Sequence, residues 1–294
     1  MRIVFIGAVE FSLRTLQHLG AIGASVVGVC TLRQSAFNAD HVDLSGHCAE
    51  HGIPCIHTED IHAPAALEWI AGCQPDVIFC FGWSRLLRKP VLELAPLGVV
   101  GFHPAALPRN RGRHPIIWAL VLGLSETAST FFFMDEGADS GDILSQRSIV
   151  IDPQDDARSL YDKVVATALQ QIGEFVPQLA AHANPRIPQD VARSNSWRKR
   201  GRADGLIDWR MSASSIHNLV RGLTHPYVGA EFQLAGQTCK VWKSRVVAAV
   251  PANIEPGKVI GHDEARKPII KCGEEALCLV ETEPEFAPVC GAYL

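Results

Sequence analysis

The sequence predicts an α/β fold followed by a smaller, mostly β region. Through about residue 180, apolar β-branched runs alternate with helix-like stretches. The strand runs are near-continuously apolar, as in a parallel sheet covered by helices on both faces. After residue 205 short runs separated by turn residues follow at close spacing, which predicts a small β-barrel.

Residues 2–7 form an apolar run ending in glycine, 11–19 read as helix, and 24–30 are again apolar, a βαβ opening. A helix follows near 40–51, an apolar turn at 53–56, and a helix at 64–72 whose proline suits the first turn. Residues 76–81 and 98–102 read as strands, 114–122 as helix, 129–134 and 143–151 as strands, and 157–180 as a long helix. Residues 183–205 are polar, with prolines and arginines and little periodicity, the composition of a connecting segment. Residues 212–223 read as helix, and 230–234, 238–242, 245–250, 257–260, 268–272 and 277–281 as short strands. These boundaries divide the 294 residues into a first domain at 1–185, a linker at 186–204 and a C-terminal domain at 205–294.

Nearly half the residues are hydrophobic and a fifth are charged, which excludes a disordered or fibrous chain. A formal net charge of -4 and a pI near 6.3 argue against a protein built around a nucleic-acid backbone. Nine cysteines without a C-x-x-C pair read as reduced core thiols, and no metal site is expected. The apolar start is broken by Glu10 and Arg14, so no membrane span is expected and the cytoplasm is the predicted location.

In open parallel sheets ligands bind beyond the carboxyl ends of strands, so the loops after residues 7, 81, 102 and 134 are the first candidates. The first turn, Gly7-Ala8-Val9-Glu10, lacks G-x-G-x-x-G and carries an acid, a poor cradle for a dinucleotide pyrophosphate. The second loop holds Trp83, Leu86 and Leu87, which either sandwich a flat heterocycle or cover the sheet end. The third runs from His103 to Pro115 with Arg109, Asn110, Arg111, Arg113 and His114. A histidine there can exchange protons near neutral pH, and the arginines can hold anions. The fourth is the acidic run Met134-Asp135-Glu136-Gly137-Ala138-Asp139-Ser140-Gly141, ordinary turn chemistry by itself.

Together these loops resemble the 10-formyltetrahydrofolate-dependent formyltransferase family, whose signature is Asn-x-His, then Leu-Pro-x-x-Arg-Gly, then Asp-x-Gly. His103, Leu107-Pro108, Arg111-Gly112 and Asp139-Ser140-Gly141 match in order and spacing, and Gly101 stands in place of the asparagine. The resemblance extends to Asp208-Trp209, Ile216 to Arg221, His225-Pro226-Tyr227 and Lys240 to Lys243. It implies a Rossmann-like catalytic domain and an OB-like C-terminal barrel. It further implies His103 and Asp139 as the catalytic pair, with Asn110 as a substitute for the missing amide. Trp83, Leu86, Leu87 and Met134 to Gly137 would hold 10-formyltetrahydrofolate as cosubstrate, and Arg109, Arg111, Arg113 and His114 the acceptor.

The segment 216–232 looks closest to relatives that formylate a nucleotide-linked amino sugar, which makes such a sugar the expected partner. Transfer to methionyl-tRNA is the alternative, disfavoured because residues 31–43 contain no lysine and only Arg33 among arginines. The Arg198-Lys199-Arg200-Gly201-Arg202 run is a second basic candidate, or a solvated linker. Gly101 further raises hydrolysis of the formyl donor, or a non-catalytic binder, as alternatives. A homodimer, if formed, is expected through the C-terminal half.

Overall fold

The structure is a computed structural model describing residues 1–35, 39–285 and 287–294; part of the 31–43 stretch, residues 36–38, lies outside the described residues. The chain forms two compact units. One comprises Met1–Pro115, Thr127–Ile149 and Asp162–Trp197, the other Ile116–Glu126, Val150–Tyr161 and Arg198–Leu294, so neither is a single run of sequence.

The first unit is built on a seven-stranded sheet. Its strands are β1 (Arg2–Ile6), β2 (Ser25–Thr31), β3 (Cys55–His57), β4 (Val77–Cys80), β5 (Val99–His103), β7 (Glu126–Phe133) and β8 (Ile143–Val150), while β6 (Arg111–Gly112) stands apart. The order is β3-β2-β1-β4-β5-β7-β8, with β1 to β5 parallel and β7 antiparallel to β5. Chain direction across the sheet reverses between β1 and β4, the switch point at which open α/β sheets form their crevice. Its helices are α1 (Glu10–Ala21), α2 (Ser45–His51), α3 (Pro64–Gly72), α4 (Lys89–Leu92) and most of α6 (Ala157–Ala180), while α5 (Pro115–Val121) falls in the second unit after its first residue. The sheet core is aromatic: Phe79 and Phe131 both meet Phe175 of α6, with ring centroids 6.0 and 4.8 Å away, and Phe81 stacks on Phe79 at 5.2 Å.

Two short elements were not expected. The stretch read as a linker contains β9 (Ser196–Trp197), which pairs in parallel with β6 in register Arg111↔Ser196. Two residues per strand give no detectable period, so the pairing leaves no trace in the sequence.

The second unit packs α7 (Ala213–Leu223) on a five-stranded antiparallel sheet in the order β10-β11-β14-β13-β12. The strands are β10 (Ala230–Leu234), β11 (Gln237–Val247), β12 (Val259–His262), β13 (Pro268–Lys271) and β14 (Ala276–Glu283). Ile216, Leu219, Val220 and Leu223 recur at helical spacing and share a core with Phe232, Val241, Ile270, Leu277 and Leu279. The two strands expected at 238–250 are one, β11, whose register against β14 shifts near Val241 to Ser244. A bulge interrupts the alternation that sequence reading uses to count strands. No described helix is long and apolar enough to cross a membrane.

Candidate active site

His103 is the last residue of β5 and is 4% exposed. Its Nε2–H donates to the carbonyl of Asn110 at 2.7 Å, since a carbonyl can only accept. Its Nδ1 lies 3.7 Å from Asp139 Oδ2. The same Oδ2 accepts the backbone N–H of Gly112 at 2.9 Å, which joins the two signature loops. A turn of chain after a cis Leu107–Pro108 bond brings Asn110 back over His103.

The backbone of these loops is unusual. Asn110, His114 and Asp139 hold φ of +64°, +56° and +54°, and Gly112 holds +100°. Asparagine, aspartate and histidine are the non-glycine residues that enter that region most readily, so the residue types suit the turns. At Gly112 a Cβ would also lie 2.3 Å from the Trp197 carbonyl, so glycine is demanded by space as well as by φ.

Gly101 lies in β5 on the same side as His103, two residues away. A Cβ there would come within 2.8 Å of Met134 Cγ and 3.0 Å of Phe132 Cζ. The space a side chain at 101 would need is filled by these two side chains, which pack with Leu107 and Ile143. Asn110 meets His103 through its backbone carbonyl, so its link to the centre is a main-chain one.

Of the residues expected around the folate, Leu87 is buried, Leu86 is 59% exposed, and Trp83 is half-buried with its Nε1 unpartnered. Gly82, Trp83, Ser84, Arg85, Arg113, Leu32 and Ser35 line a cavity of about 220 Å³. Met134 follows the carboxyl end of β7, but that end lies at the opposite end of the sheet from the carboxyl ends of the parallel strands. Because β7 runs antiparallel to β5, the Met134 N–H bonds the Val99 carbonyl at 2.7 Å, at the amino end of β5. Its side chain nevertheless reaches Gly101. Asp135, Glu136 and Gly137 are exposed, and Asp135 Oδ1 accepts from Gly137 N and Ser140 Oγ, shaping the turn that leads to Asp139.

The arginines divide. Arg109 is exposed, Arg113 donates to the Ser84 carbonyl at 2.9 Å, and His114 is half-buried. Arg111 donates to Gln189 Oε1 at 2.7 Å and keeps a buried Nε without an acceptor, the kind of donor an incoming oxygen satisfies. Sequence reading missed Gln189 and Asn195. Gln189 Nε2 donates to the carbonyls of Asp139 and Gly141 at 2.9 and 2.7 Å, and Asn195 Oδ1 accepts the Asn110 N–H at 2.8 Å. Their only signal was two amides in a polar stretch that otherwise reads as linker.

In the second unit Arg198, Arg200 and Arg202 of the basic run are engaged by neighbouring groups. Arg198 pairs with Asp204 through both carboxylate oxygens, and its guanidinium holds that carboxyl well below the usual carboxylate range. Arg202 pairs with Glu231 at 2.7 Å. Arg200, 8% exposed, lies over the Trp118 ring at 4.6 Å.

Residues 1–175 match the description "Formyl transferase" and residues 200–292 "Formyl transferase, C-terminal domain". A methionyl-tRNA formyltransferase of Geobacter metallireducens is 33% identical over 97% of this chain and 91% of its own. That of Chloroflexus aurantiacus is 31% identical over 97% and 92%. Among solved structures, WlaRD, a sugar 3N-formyl transferase obtained with dTDP and 5-N-formyl-THF, superposes with a TM-score of 0.72 at 15% identity, covering 97% of this chain and 99% of that one. The N-formyltransferase of Helicobacter canadensis in complex with folinic acid and dTDP-3-aminofucose reaches 0.70 at 15% identity over 94% and 98%. HypX of Aquifex aeolicus reaches 0.67 at 17% identity over 96% of this chain, which spans 44% of HypX.

Proposed function

The chain belongs to the formyl transferase family, and from that premise we propose that it moves a formyl group from 10-formyltetrahydrofolate to the amine of a nucleotide-linked amino sugar. The donor is supported by similar folds solved with 5-N-formyl-THF, folinic acid and tetrahydrofolic acid. The observation that carries the choice of acceptor is the pairing within the basic run. Arg198 and Arg202 are paired with Asp204 and Glu231 and Arg200 is buried, which weakens the positive field the run presents to a phosphate backbone. Arg109, exposed beside the His103 loop, suits a diphosphate.

In the reaction the amine nitrogen attacks the formyl carbon and forms the new C–N bond. His103 Nδ1 takes the amine proton, and Asp139 balances the imidazolium so formed. The proton then passes to N10 as the C–N10 bond breaks, leaving an amide and tetrahydrofolate. No side-chain amide from position 101 meets the developing oxyanion, because Met134 and Phe132 fill that space. Loss of one such donor elsewhere costs about 3 kcal/mol, so the unsatisfied Arg111 Nε–H is the donor we assign to the oxyanion.

The test is tetrahydrofolate release from 10-formyltetrahydrofolate with a panel of nucleotide-linked amino sugars and a no-amine control. Amine-dependent release is expected, reduced on the order of 10²- to 10⁴-fold by His103→Ala. Release without amine would make the protein a hydrolase. Transfer to methionyl-tRNA is the second reading, favoured by the sequence relatives, and turnover with charged initiator tRNA alone would establish it.

A further inference from the structure

Two side chains of the segment after α6 hold the site from outside the signature loops. Gln189 bridges three groups, donating to the Asp139 and Gly141 carbonyls and accepting from Arg111. Asn195 accepts the Asn110 N–H at 2.8 Å, on the residue whose carbonyl receives His103 Nε2–H. The segment is aligned by an isolated bridge at Ile143↔Ile187 and by the β6–β9 pair, so both amides reach the loops from paired backbone.

We propose that Gln189 and Asn195 are positioning residues that fix the ring tautomer of His103, with the proton on Nε2 and Nδ1 as the basic atom. The proposal rests on His103 being the proton-transfer residue of the reaction above. A neutral imidazole carries one N–H, and the Asn110 carbonyl at 2.7 Å claims it for Nε2. The Nδ1 lone pair then faces Asp139 Oδ2 at 3.7 Å, two acceptors that become an ion pair once a proton arrives. The arrangement depends on Asn110 and Asp139 staying at φ +64° and +54°. Asn195 anchors the first by its N–H and Gln189 the second by its carbonyl. Through the transfer Nε2–H is unchanged: the amine proton moves to Nδ1 as the C–N bond forms, and from Nδ1 to N10 as the C–N10 bond breaks.

The experiment uses the full chain with ¹⁵N-labelled histidine, His103 being assigned by the signal lost in His103→Ala. Long-range ¹H–¹⁵N spectra are expected to show the Nε2–H form in the wild type, a mixture of forms in Asn195→Ala, and the Nε2–H form again in Asn195→Asp, which retains an acceptor oxygen. Turnover with the acceptor identified above is expected to fall on the order of 10- to 100-fold in kcat for Asn195→Ala and Gln189→Ala, with KM for the formyl donor within about twofold. An Nδ1–H form in the wild type, an unchanged spectrum in Asn195→Ala, or a loss carried by KM alone would overturn the proposal. The spectra need no acceptor, so a failure of the transfer reading is distinguishable from a failure of this one.

Discussion

At the scale of single residues, position 101 sets this chain apart from the family signature. Glycine there is not an empty place awaiting an amide, since Met134 Cγ and Phe132 Cζ lie within 2.8 and 3.0 Å of where a Cβ would stand. Restoring the family residue by Gly101→Asn therefore overpacks the strand. A stability loss of about 1–3 kcal/mol is expected in denaturant unfolding, with no gain in turnover. Unchanged stability with faster transfer would show that Met134 yields readily and that the amide was the missing part. That the loops of His103 and Asp139 belong to one signature was legible from residue types and their order, and the structure brings the two side chains to 3.7 Å. The occupants of the space at 101 were not, because Phe132 and Met134 reach it through strand pairing.

At the scale of elements, α7 shows what local chemistry dictates. Ser212 precedes the helix, and its Oγ accepts the Ser215 N–H at 3.1 Å, satisfying one of the first-turn donors. Ser212→Ala is expected to lower stability by about 1 kcal/mol, read from the shift of the denaturation midpoint at constant slope. The apolar stripe Ile216, Leu219, Val220, Leu223 made this helix visible in the sequence. The helix near 40–51 was only partly legible: α2 is confined to Ser45–His51 and ends at Gly52 in the left-handed conformation. At β11 a bulge broke the alternation and divided one strand into two on paper. The β6–β9 pair was illegible because each strand is two residues long, yet it brings Asn195 beside the His103 loop.

At the scale of the whole molecule, charge bears on the acceptor proposed above. A chain of net charge -4, whose basic run at 198–202 is partly tied to Asp204 and Glu231, carries no net positive field toward a nucleic acid. Filter binding to initiator tRNA is therefore expected to be no tighter than non-specific, with Kd above about 10⁻⁶ M at physiological salt. Tight binding whose log K falls with log salt at a slope near -5 or steeper would reveal an extended phosphate interface and reverse the assignment of acceptor. Sequence alone determined the alternation of strands and helices, the loops that bear the signature, and the family, because apolar period and loop chemistry are local properties of the chain. Tertiary structure decided that Met134 and Phe132 fill the space beside Gly101, that Gln189 and Asn195 bond the signature loops, and that Arg202 is paired with Glu231. Each of these is a meeting of residues distant in sequence, set by strand pairing and ion pairing in space.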